Sequence, residues 1–225
     1  MQNYRLKIYE ELKQRIILGR YKQGAILNEK EICEDFSVSR TPYREALIQL
    51  ELEGLLIIQP KVGVVVSPID LQSLRDVFEM RTILEGVAAQ LAFKRIQPHH
   101  LDVLKKTVEK IESLRPEDDI FSYLGLDAQF HSIIQDAQGN QFLKDSLERL
   151  YNQCMRLWNT IENTAIVEDL LKISIKDIKK IYQAFIDKDQ AAVERLIKEH
   201  FNSYLKTMAA HLITGFEDES ISHYK

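Results

Sequence analysis

The apolar residues leave helical spacing for two β-rich runs before Pro68 and keep to it after Pro68, which limits the fold to a small mixed unit followed by a larger helical one. Before it, residues 4–19 read as a helix with Tyr9, Leu12, Ile16 and Ile17 on one side and Gly19 at its end. Asn28 with Glu31 three residues later forms a capping-box pattern, which predicts a short helix over Glu29–Phe36. Ser37-Val38-Ser39 is long enough only for a turn. Thr41 is the expected cap of the next helix, with Pro42 at its first position, where a missing N–H costs nothing. Ala46, Leu47, Leu50 and Leu52 give that helix an apolar side, and Gly54 ends it. Two β-rich runs follow, Leu55–Ile58 and Val62–Val66, joined by Gln59-Pro60-Lys61 as a hairpin. From Asp70 to Phe216 only helical periodicity remains, with candidate helices over 70–94, 98–114, 116–138, 140–162, 168–187 and 189–214. The expected fold is therefore mainly α, with domains over 1–68 and 69–216 and a polar tail over 217–225.

Helix, helix, turn, helix and a two-stranded wing, in that order, make a winged helix-turn-helix, an arrangement that places its second compact helix in the DNA major groove. Bulk charge neither favours nor forbids this. The net charge of the chain is −4, yet residues 1–68 carry 10 Lys/Arg against 9 Asp/Glu, and the remainder carries 20 against 25. Phosphate contact needs local positive charge, not a basic average. No apolar run approaches the 18 or so residues of a membrane span, and the first residues lack the apolar stretch of a signal peptide. Cys33 and Cys154 are too far apart for a zinc-finger spacing or a disulfide framework, so a reducing cytoplasm is the expected compartment.

Ser39-Arg40-Thr41-Pro42-Tyr43-Arg44 opens the second helix of the pair with polar and basic residues. Arg40 and Arg44 could each donate two hydrogen bonds to guanine O6 and N7. The hydroxyls of Ser39 and Thr41 suit phosphate oxygens. Lys30 in the preceding helix and Lys61 in the wing can reach the flanking backbone, and Gly63 lets the wing's main chain approach closely. Solvated surface arginines are the commoner case; the order of elements is what favours DNA reading.

The whole first domain resembles the GntR family of bacterial regulators. The resemblance rests on Tyr9, Gly19, Gly24, Leu27, Glu29–Phe36, Val38-Ser39-Arg40-Thr41-Pro42, Arg44-Glu45-Ala46-Leu47, Leu50, Glu53-Gly54-Leu55 and Gly63 to Val66. It implies DNA contact by Lys30, Ser39, Arg40, Thr41, Pro42, Arg44 and Gly63. Tyr43 stands where the family usually has Val, and Lys30 where arginine is common, which weakens bidentate contact there.

Residues 70–215 resemble the FCD type of GntR regulator, named for the C-terminal domain of a fatty-acid-responsive member. The carrying residues are Val77-Phe78-Glu79-Met80-Arg81, Leu84-Glu85, Ala88, Asp127-Ala128-Gln129-Phe130-His131, Gly139-Asn140, Tyr182-Gln183-Ala184 and His200. The resemblance implies an all-α antiparallel helical bundle that binds a small effector and forms a homodimer. In many members one Asp and three His hold a divalent metal, zinc or similar, that binds a small organic acid. Asp127 and His131, at i and i+4, share a helix face, and His200 lies on the last long helix. The remaining histidine should stand twenty-two positions before His200, where this chain has Ile178; Asp177 beside it should point about 100° away. Three ligands leave room for water or effector, so metal and no metal stay open. Arg81 could clamp the effector's carboxylate or pair with Glu85 one turn on. Phe130, Tyr123, Trp158 and Tyr182 read as core; His99, His100, His211 and His223 read as exposed.

A metal-dependent helical enzyme is the competing class. The sequence has none of the Glu-x-x-His pairs of two-metal bundles, no HExxH pattern and no Gly-rich phosphate loop. The expected partners are double-stranded operator DNA, a small carboxylate and a second copy of the chain, with no membrane.

Overall fold

A computed structural model describes residues 4–114, 120–158 and 164–222, with side chains described for all of these except 71, 120–121, 158, 164–167 and 208–222. The Pro116 break therefore lies outside the described residues, as does His223, and the side chains of Trp158 and His211 are not described. No described helix is long and apolar enough to cross a membrane. The chain divides into two compact units, residues 1–77 with 148–162, and residues 78–147 with 163–225.

The first unit begins with α1 (Tyr4–Ile17), β1 (Ile26–Leu27), α2 (Glu29–Asp35), α3 (Arg40–Leu52), β2 (Leu56–Gln59) and β3 (Gly63–Val66). Its core takes Ile8, Leu12 and Ile16 from α1, Ile32 from α2, Tyr43, Ala46, Leu47 and Leu50 from α3, and Leu56 and Val66 from the sheet. The helical spacing of these positions is the one the sequence predicts. Asn28 caps α2 as expected, accepting from Lys30 N–H at 3.0 Å and Glu31 N–H at 3.4 Å. Helix α3 differs at its start. Its N-cap is Ser39, with extended backbone, so Thr41 is its second residue and Pro42 its third. Proline is still accommodated, because no N–H of the first turn has an intrahelical partner.

The sheet has the order β1-β3-β2, all antiparallel, with Ile26 opposite Val65 and Ile57 opposite the same Val65 from the other side. Strand β1 escapes sequence reading because two residues carry no period. The hairpin turn is Pro60-Lys61-Val62, with Lys61 at φ 68° and Gly63 at φ 118°.

The second unit is built from most of α4 (Leu71–Arg95), α5 (Pro98–Glu112), α6 (Ile120–Gln138), the start of α7 (Gln141–Trp158), α8 (Thr164–Ile186) and α9 (Gln190–Ser222). Helix α8 packs on α9, α5 and α6, and α5 also packs on α6. Leu104, Ile111, Phe130, Ile134, Ile178, Ile181, Val193 and Ile197 are fully buried there.

Candidate functional site

On the first unit, Ser39, Arg40, Thr41 and Arg44 are exposed at the start of α3, Pro42 is half-buried beside them, and Lys30, Lys61 and Gly63 are exposed as well. The side chain of Ser39 makes no capping bond, and the first N–H groups of an α-helix have no intrahelical partner. The wing is tied to the same helix, since Ile58 N–H donates to Glu51 Oε1 at 2.8 Å. Arg44 is not a loose surface arginine. Its Nε and Nη2 donate to Glu29 Oε1 and Oε2 at 3.0 and 3.5 Å, across the turn from α2. Sequence reasoning missed this pair, because a fifteen-residue separation follows no helix or strand period. Tyr43, between the two arginines in sequence, points the other way and is only 1% exposed.

The second unit encloses a polar cluster that four helices supply through i, i+4 rows. From α6 come Tyr123, Asp127, His131 and Gln135, four consecutive members of one row, all buried. Arg81 and Glu85 come from α4, Ser174 and Asp177 from α8, and His200 and Tyr204 from α9. Asp127 Oδ1 lies 3.9 Å from both His131 Nε2 and His200 Nε2. One ligand atom from each of these three residues falls within 4.8 Å of the others, so the structure brings the three sequence candidates to one point.

Every member of that trio has a group behind it. Asp127 Oδ1 accepts from Tyr123 Oη at 3.0 Å and Ser174 Oγ at 3.4 Å, and Tyr123 also bonds Tyr204 and Ser174. Glu85 Oε2 lies 3.7 Å from His131 Nδ1, and Asp177 Oδ2 lies 3.7 Å from His200 Nδ1. Glu85 Oε1 meanwhile accepts from Arg81 Nη2 and Gln135 Nε2, both at 3.1 Å. The Arg81 Cζ lies over the Phe201 ring, 4.4 Å from its centroid. Thus Arg81 makes the Glu85 pair that the sequence left as one of two readings. Asp177, offset from the Ile178 stripe, lies outside the trio and meets His200 at Nδ1, on the other side of the ring. Ile178 is fully buried apolar core.

The electrostatics follow from burial. Desolvation pushes the Glu85 carboxyl up, but His131 and Arg81 outweigh it and hold it below the ordinary glutamate value. Desolvation lowers His200 despite Asp177 and Asp127, which keeps the ring neutral and able to donate a lone pair. The Tyr123 and Tyr204 hydroxyls are pushed up by burial first and by the Asp127 charge next, so they act as neutral donors.

The residues present fit a divalent ion. Neither nitrogen of His131, 2% exposed, nor Nδ1 of His200, 1% exposed, has a hydrogen-bond partner among the described residues. Leaving a buried polar nitrogen unmatched costs about 1–3 kcal/mol; a cation at the trio would engage His131 Nε2, while the two Nδ1 atoms face Glu85 and Asp177. The carboxylates point the same way: Glu85 and Asp127 border the His131 ring, and Asp127 and Asp177 border the His200 ring, a setting that favours a cation. Tyr123, Ser174, Tyr204 and Glu85 were not singled out from sequence as site residues. For Tyr123 the available signal was the polar i, i+4 row of α6; Ser174, Tyr204 and Glu85 join it from other helices, through packing that no spacing reports.

Residues 5–66 match the family model of bacterial regulatory proteins, gntR family, and residues 76–203 match the FCD domain. The chain belongs to the GntR family of bacterial regulators, with an FCD domain. It is thus a DNA-binding transcriptional regulator and not an enzyme. The HTH-type transcriptional regulator YdhC of Bacillus subtilis is 26% identical over 200 residues, 88% of each chain. The gluconate operon transcriptional repressor of the same organism is 28% identical, covering 88% of this chain and 82% of its own. The solved Escherichia coli McbR/YncC has the same fold, with a TM-score of 0.78 at 22% identity over 94% of this chain and all of that one.

Proposed function

We propose that this GntR regulator controls a metabolic operon, reading operator DNA through α3 and the wing and sensing a small organic acid in its FCD domain. The single observation behind the sensing half is the convergence of Asp127, His131 and His200 at one buried point. These three would hold a divalent metal, zinc or similar, and a bound ion would supply positive charge for the effector's carboxylate. Arg81 is the second candidate contact, and an effector reaching it competes with Glu85 for the guanidinium fork. The name of the gluconate operon repressor supports a small hydroxylated acid as the kind of ligand to test first.

The reading half rests on Arg40 and Arg44 for bases, on Ser39, Thr41 and the first turn of α3 for phosphate, and on Lys30, Lys61 and Gly63 for the flanks. One winged domain reads too few base pairs for genomic specificity, so two chains on a two-fold operator are expected. Met80, Ile83 and Val87 are 45%, 48% and 41% exposed along one face of α4, which supports the helical domain as the place where two copies meet. Such a regulator works in the cytoplasm, where the operator is.

Selection of the operator from random DNA, followed by titration, tests this. Arg44→Ala should cost about 1–3 kcal/mol at one base and relax discrimination there. Lys61→Ala should weaken all sequences alike, and each operator should take up two chains. An Arg44→Ala variant that discriminates as the parent does would remove α3 from the groove.

A further inference from the structure

We infer that Glu85 and Asp177 are positioning residues that fix the tautomers of His131 and His200, so that both rings present an unprotonated Nε2 to the point marked by Asp127. The inference deepens the reading of that trio as a ligand site and rests on it. Neither carboxylate belongs to the trio.

The argument starts from the two nitrogens of a neutral imidazole. One carries the proton and donates; the other carries the lone pair and can bind a cation. Which is which depends on what each nitrogen faces. In His131, Nδ1 faces Glu85 Oε2 at 3.7 Å and Nε2 faces Asp127 Oδ1 at 3.9 Å. In His200, Nδ1 faces Asp177 Oδ2 at 3.7 Å and Nε2 faces the same Asp127 Oδ1 at 3.9 Å. Each ring therefore stands between two carboxylates that pull its proton in opposite directions.

The acceptor capacity already in use decides between them. Asp127 Oδ1 accepts from Tyr123 and Ser174 and is shared between two rings. Glu85 Oε2 is fully buried and has no hydrogen-bond partner among the described residues, its Oε1 taking both Arg81 and Gln135. An ionised oxygen in that position gains most from a donor, and the His131 Nδ1–H is the one facing it. At 3.7 Å the pair is longer than a hydrogen bond, so the interaction is an oriented charge–dipole attraction that a small inward movement would turn into one. Asp177, only partly buried on the adjacent helix, places Oδ2 at the same 3.7 Å from His200 Nδ1. Asp177 also stands one residue before Ile178, so α8 supplies an orienting carboxylate at the level where its apolar Ile178 supplies no ligand.

The rule is general for metal-binding histidines: the second ring nitrogen is held by a carboxylate or carbonyl, and loss of that group costs about 10–100-fold in metal affinity. The two rings give a crossover test on the full chain. Long-range proton–nitrogen correlation spectra of the metal-free protein, taken at a pH where both rings are neutral, read the tautomer of each histidine directly. In the parent both should be Nδ1–H. Glu85→Gln should switch or mix the tautomer of His131 alone, and Asp177→Asn that of His200 alone, because an amide can donate to Nδ1 where a carboxylate cannot. The untouched ring reports that the fold is intact, and Asp177→Asn, on the more exposed residue, covers the case in which Glu85→Gln fails to fold. Zinc affinity, measured by competition with a chromophoric chelator, should fall about 10–100-fold in each variant. Nε2–H rings in the parent, or tautomers that both variants leave unchanged, would overturn the inference. A parent with Nδ1–H rings, switched by the variants, that takes up no zinc would instead leave the positioning roles standing and refute the metal reading of the trio.

Discussion

Tyr43 is a residue whose surroundings suit its chemistry poorly. The aromatic ring fills the core of the first unit at 1% exposure, while its hydroxyl has no hydrogen-bond partner among the described residues. Its pKa is pushed up to about 12, by desolvation first and the Glu29 charge next. Tyr43→Phe keeps the packing and removes the stranded hydroxyl, so thermal unfolding should show a gain of about 1 kcal/mol. The pH dependence has a definite sign. The folded phenol holds its proton more tightly than the unfolded one, so its contribution is complete below pH 10 and is lost as pH rises towards 12. Tyr43→Phe should therefore flatten part of the alkaline loss of stability; an unfolding curve that falls as steeply as the parent's above pH 10 would contradict this. The sequence marks the position, since Tyr replaces the usual Val, but not its orientation. Thr41 and Arg44, exposed on either side of Pro42-Tyr43, hide a side chain that turns inward. The Arg44–Glu29 pair is hidden for a different reason, being a contact between two helices that no periodicity within either one reports.

At the scale of elements, α7 departs most from what its sequence suggests. Its amphipathic pattern marks a bundle helix over 140–162, and its residues fall within the stretch matched by the FCD model. Yet residues 148–162 belong to the first compact unit. Gln153 Nε2 donates to Glu53 O at 3.1 Å, and Arg156 donates to Gly54 O at 3.5 Å and to Ser67 O, so α7 satisfies carbonyls at the end of α3 and after β3. Burial at 3% exposure brings the Arg156 guanidinium down to about 10, still charged at neutral pH. Arg156→Ala should leave those carbonyls short of donors and lower the stability of the first unit by about 1–3 kcal/mol, with Arg156→Lys recovering only part because it lacks the planar fork. Faster amide exchange across residues 50–67 is the expected signature. Unchanged protection there in Arg156→Ala would show that the contact contributes nothing. An arginine in the last turn of a helix reads in sequence as a complement to the helix dipole, and nothing in the spacing assigns it to another unit. The long elements were legible because each repeats its period several times. Strand β1 and the α7 contact were not, because one is too short for a period and the other is tertiary.

Across the whole molecule, the question is how a three-ligand site and an effector depend on each other. Asp127, His131 and His200 were legible through an i, i+4 spacing and a family resemblance, whereas the Tyr123, Ser174 and Tyr204 hydroxyls and the Glu85 and Asp177 carboxylates appear only once four helices are packed. Among these, Ser174 is informative about the missing ligand. It lies 3.4 Å from Asp127 Oδ1, and position 178 is one turn further along the same stripe of α8, so a histidine there would face the trio. With Ile178 in place, water or the effector's carboxylate must complete the coordination sphere of a bound ion. Zinc should accordingly bind the parent more tightly in the presence of effector, and effector more tightly in the presence of zinc, by the same factor. Ile178→His should raise zinc affinity in the effector-free protein by roughly tenfold, equivalent to about 1.4 kcal/mol. It should also shrink the mutual factor, because the fourth position is then filled before the effector arrives. Calorimetric titrations of zinc with and without a panel of organic acids, parent beside Ile178→His, measure both quantities. If neither protein takes up zinc, and if His131→Ala binds its acid as the parent does, the trio serves packing and hydrogen bonding, and recognition of the effector falls to direct side-chain contacts such as Arg81.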